Sequence, residues 1–74
     1  MEEYKIEVER GLSLYIHHAK DKKIPKEKRI WWNGAAIAMY DLAIRLKMDV
    51  TFYDDDIKTL SEEHDAITEA LMTK

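Results

Sequence analysis

Three histidines, two serines and a dense run of carboxylates are the side chains of this 74-residue chain that could do chemistry, and there is no cysteine. Ser13 and Ser61 stand in no motif of the G-x-S-x-G kind that would aim and activate a hydroxyl, so nucleophilic catalysis has no visible seat. His17 and His18 are neighbours, which on a helix sets them about 100° apart, whereas two metal ligands on one face need a spacing of three or four. His64 has neither a carboxylate nor a second histidine at that spacing and reads as a histidine at the core edge, with a pH-sensitive contact as its alternative. The stretch DDDIKTLSEEHD invites a calcium loop starting at Asp54, but Thr59 stands where the loop needs glycine and Asp65 where it needs glutamate. Glu62 and Asp65 would make half of a two-helix carboxylate metal site, and residues 26–48 hold no E-x-x-E to complete it. The expectation is a protein that is not an enzyme, with no metal and no cofactor.

What could position such groups is helical. Tyr4, Val8, Gly11, Leu12, Tyr15 and Ala19 recur at steps of three and four, one stripe of a helix over about 3–19. A charged connector follows, and Pro25 both disfavours helix at Ile24 and suits the first turn of the next one. Ala, Ile, Leu, Met, Lys and Arg dominate a second helix over about 26–48, with Asn33-Gly34 as its weak point. Thr51 and Asp54 have the spacing of a capping box, and the third helix, about 53–73, carries Tyr53, Ile57, Leu60, His64, Ile67 and Leu71 on one stripe. Three amphipathic helices with short connectors predict a single all-α domain over 1–74, a small antiparallel three-helix bundle with the second helix in the centre.

Helix two is apolar on two faces. Trp31, Ala35, Ala38, Leu42 and Leu46, widened by Trp32, Met39 and Ala43, form the stripe expected to face the core. Roughly opposite lie Ile30, Ile37, Ile44 and Met48, among Asn33, Asp41 and Arg45, where a monomer would leave them wet. Either the flanking helices straddle both stripes, or Ile30, Ile37, Ile44 and Met48, with Trp32 at the edge, form a partner-binding surface. The second reading is favoured by size, since so short a chain buries only about 60% of its unfolded surface and has no disulfide to help.

Charge is unevenly spread: residues 20–29 sum to +4 and residues 49–74 to −6 in a chain of net −3. Lys20, Lys22, Lys23, Lys26, Lys28 and Arg29 could contact phosphates, which makes a nucleic-acid-associated regulator the alternative function, although the acidic third helix suits no anionic groove. Asp55, Glu62 and Glu69 repeat by seven with Asp65 beside them, an acidic line able to meet a basic groove on another protein or simply to be solvated. The longest uncharged run, residues 30–40, is 11 residues, short of the roughly 20 that span a bilayer, and the first residues are acidic where an export signal is basic. The sequence thus predicts a cytoplasmic, regulatory or protein-binding module that acts through helix-mediated self-association, as a homodimer, or through a heterologous protein partner.

Overall fold

The computed structural model describes residues 2–72 and is an all-α three-helix bundle: α1 (Glu2–Lys20), α2 (Lys26–Arg45) and α3 (Asp54–Met72), with a 3₁₀ turn at Thr51–Tyr53 before α3. It is an elongated body of 46 × 22 × 17 Å. Among the described residues no helix is long and apolar enough to cross a membrane. The expected helix over 53–73 ends in Thr73, which lies outside the described residues.

Each helix runs antiparallel to the next. Tyr15 of α1 meets Trp32 of α2 at a ring distance of 5.7 Å, while Gly11, a turn earlier, faces Met39, about two turns later. Arg29 at the start of α2 reaches Glu63 at the middle of α3, and Tyr40, further along α2, reaches Asp54 at its start. Short connectors leave no other arrangement for consecutive helices. α2 runs unbroken through Asn33-Gly34.

The buried apolar core is Leu12, Ile16, Ala19, Ala36, Ala43, Val50, Ile57 and Leu60. Three of these are alanines, so the helices pack closely over a small volume. At Gly11 the approach is close enough that an added Cβ would sit 3.2 Å from the Met39 methyl. Tyr15, Trp32, Met39, Tyr40, Met48 and Tyr53 close the core at its margins.

α2 stops at Arg45, three residues before the expected end at Met48. Lys47 takes a left-handed conformation, φ 64°, and the Lys47 and Met48 amides donate back to the Ile44 and Ala43 carbonyls at 3.0 Å. This is a Schellman reversal with lysine where glycine is usual, and it turns Met48 back onto the core. The expected capping box is also replaced. Thr51 gives both its hydroxyl (2.8 Å) and its amide (3.2 Å) to Asp49 Oδ1 and so starts the 3₁₀ turn instead of capping α3. Those two bonds hold the Asp49 carboxyl below its ordinary pKa, the hydroxyl contributing most.

Candidate functional site

The face that α2 turns inward carries polar groups. Arg29, expected as a free phosphate contact, is buried: its Nε donates to the Ile24 carbonyl and its Nη1 to Glu63 Oε1, both at 2.9 Å. Asn33, one turn on and expected on the wet side, is fully buried, and neither its amide nitrogen nor its oxygen has a hydrogen-bond partner among the described residues. Tyr40, two turns further, donates its hydroxyl to Asp54 Oδ1, and this bond, more than partial burial or the carboxylate's charge, raises the phenol's pKa.

The stripe assigned to the core is therefore largely the outward one, a correction of phase by about a third of a turn. Trp31 is 62% exposed and Leu42 43% exposed, Ala38 is exposed, and Ala35 and Leu46 are half-buried. Met39, Ala43 and Trp32, which flanked that stripe, do pack on the core. The reason is chemical: Arg29 finds Glu63 waiting on α3, so a polar residue can be drawn inside and an indole left outside.

The isoleucine stripe is partly covered. Ile37 lines a hollow between α2 and α3 with Gly34, Ser61 and His64, and Ile30, on the same side, is half-buried. Met48 and Trp32 pack against the core, which leaves Ile44, 49% exposed, as the one member of the expected partner surface that is largely open. Trp32 is enclosed by rings, lying 4.5 Å from His18 and 4.7 Å from Trp31, while Trp31 also meets Tyr15 edge-on at 6.5 Å. This aromatic wall holds the exposed indole of Trp31 at a fixed place beside α1.

The charged residues divide in two. Lys20 is tied to Asp56 at 2.9 Å and Arg29 to Glu63, whereas Lys22, Lys23, Lys26 and Lys28 are exposed around a turn in which Asp21 accepts the Lys23 amide. Asp55, Glu62, Asp65 and Glu69 are all exposed on α3. Among the described residues, no three histidine, aspartate or glutamate side chains converge as a metal site would require.

Three residues that matter here escaped the sequence. Glu63 gave no signal because its partner is 34 positions away. Phe52, 87% exposed on the 3₁₀ turn, sits outside any periodic stripe. Leu42 was visible but assigned to the wrong side. What the arrangement can do is bind: Trp31, Ala35, Ala38 and Leu42 follow one another at steps of four, three and four along an open helix face, the spacing of a helix-pairing seam. No protein-family model, no curated protein and no solved structure matches this chain, so its own side chains are what identify its work.

Proposed function

We propose that this protein is a small, non-enzymatic binding module of a regulatory kind, working in the cytoplasm, which docks another helix on the outward face of α2 and does so first with its own kind. The carrying observation is Trp31, an indole 62% exposed and braced by Tyr15 and Trp32, at the head of an apolar line through Ala35 and Ala38 to Leu42. Contiguous open apolar surface marks interaction sites, and rigid tryptophans are frequent anchors there. A core built substantially of alanine gives the same face a second purpose, since association adds the burial that so small a bundle lacks.

The test is the mass in solution over a concentration series, with Leu42→Glu as the variant. The wild type is expected to rise from 8.8 kDa toward twice that value, and Leu42→Glu to stay monomeric with its helical circular dichroism unchanged. A wild type that remains at monomer mass up to millimolar concentration defeats self-association.

A second reading keeps the connector. Lys22 and Lys23 share a hollow with Lys20 and the open ring of Phe52, a combination of phosphate contact and stacking surface suited to single-stranded nucleic acid. It is the weaker reading because Lys20 and Arg29 are already neutralised and Asp56 lines the same hollow. Reversing Lys22, Lys23 and Lys28 to glutamate would then abolish retention on an oligonucleotide column, and retention by the wild type would fall steeply with salt.

A further inference from the structure

The seam on α2 has a symmetry of its own. Trp31 and Leu42 are equally far from a point between Ala36 and Ile37, and so are Ala35 and Ala38. We infer that the occupant of this face is a second copy of the chain, its α2 antiparallel to the first about a two-fold axis at that point, so that each Trp31 lies across from Leu42 of the second copy. The inference rests on the docking reading above and names its partner.

Two observations favour this pairing. Size complementarity is the first. Small Ala35 and Ala38 meet at the centre, where the axes can approach to about 8 Å, while an indole and a leucine, not two indoles, fill each end. A parallel pair would stack Trp31 on its own copy at one end and set Leu42 against its own copy at the other, filling the two ends unequally. Charge is the second. In an antiparallel two-fold pair the same flank of each helix meets itself, and Glu27 and Arg45 share one flank of α2, both exposed. Their positions add up to the same axis within one residue, so each Glu27 carboxylate comes level with Arg45 of the second copy, twice per dimer. In the single chain Arg45 is held by Asp41 at 2.8 Å, an exposed pair that solvent weakens and that the Glu27 carboxylate of the second copy can join or replace. A parallel pair would instead bring no Glu27 level with an Arg45 and would align the helix dipoles.

The paired stretch of α2 is about 27 Å long and one helix diameter wide, which places the interface at the lower end of specific interfaces and the dissociation constant on the order of micromolar.

Cross-linking reads the direction, helped by the absence of cysteine. Glu27→Cys and Arg45→Cys are made separately, mixed, and treated with a short bismaleimide. The antiparallel pair is expected to give a mixed dimer, and little of either self-linked product, because two copies of position 27 lie about 28 Å apart along the seam. The mixed dimer retains one Glu27–Arg45 contact, so the variants do not destroy what they measure. In parallel, Glu27→Arg and Arg45→Glu alone should each weaken dimerisation by about three- to tenfold, and the double exchange should restore it to within about twofold. Self-linked products without the mixed one, or a double exchange no better than the singles, overturns the antiparallel pairing while leaving dimerisation intact. A wild type that is monomeric by mass up to millimolar concentration overturns self-association, and this pairing with it.

Discussion

The two faces of α2 invert the usual order of a bundle helix. Turned inward are a guanidinium, a carboxamide and a phenol, those of Arg29, Asn33 and Tyr40; turned outward are the indole of Trp31, two alanines and Leu42. Polarity alone does not decide which face is buried. Arg29 can go inside because Glu63 and the Ile24 carbonyl satisfy it, and each residue that follows it at helical spacing goes inside with it. Asn33 is carried in on that phase without a partner. The inward face thus joins one long-range ion pair to the buried Ala36 and Ala43, and the outward face is left with the apolar line.

The sharpest way to break the contrast is Arg29→Ala. It strands Glu63 and frees the Ile24 carbonyl, and urea unfolding should show a loss of about 2–3 kcal/mol, below the figure for a fully buried pair because the Glu63 side chain is 26% exposed. A loss under about 0.5 kcal/mol would mean that the pair does not set the phase. Asn33→Leu should act in the other direction. It replaces two buried unsatisfied atoms by methyl groups on the same branching, and, less the cost of fitting the bulkier side chain, thermal unfolding is expected to show a gain of about 1 kcal/mol.

Tyr40→Phe probes the edge of the inward face and should cost about 0.5–1 kcal/mol at neutral pH. Because the folded-state pKa of Tyr40 is raised by its bond to Asp54, that contribution is fully present below the ordinary tyrosine value of about 10 and is lost as pH rises through the higher folded value. Wild type and variant should therefore converge in stability above about pH 10, measured by urea titration at each pH. The smallest effect belongs to the outward face: at concentrations too low for association, Leu42→Gln should leave stability within about 0.5 kcal/mol of wild type.

The helices were legible in the sequence because their signal is local. The α1 stripe from Val8 through Leu12 to Ala19 and the first half of the α3 stripe, Ile57 and Leu60, occupy the core as their spacing predicts. Toward the end of α3 the pattern outruns the bundle, and Leu71 is exposed. The phase of α2 was not legible, since a helix with apolar residues on two sides offers two self-consistent orientations and the choice rests on Arg29 and Glu63, 34 positions apart. Nor was its end, because Lys47 adopts the left-handed turn with no glycine to announce it. Trp32 and Met48 of the expected partner surface went to the core margin for the same reason of phase, and Trp31 took the exposed place.

The slender outline of the bundle bears on how any association is to be weighed. A body nearly three times as long as it is thick meets more drag than a sphere of equal mass, so a single chain will leave a sizing column early and pass for a larger particle. Two such rods lying side by side would be stouter, with less friction for their weight. Elution volume would therefore understate the difference between one chain and two, and sedimentation equilibrium, which is blind to shape, is the measurement that can separate them.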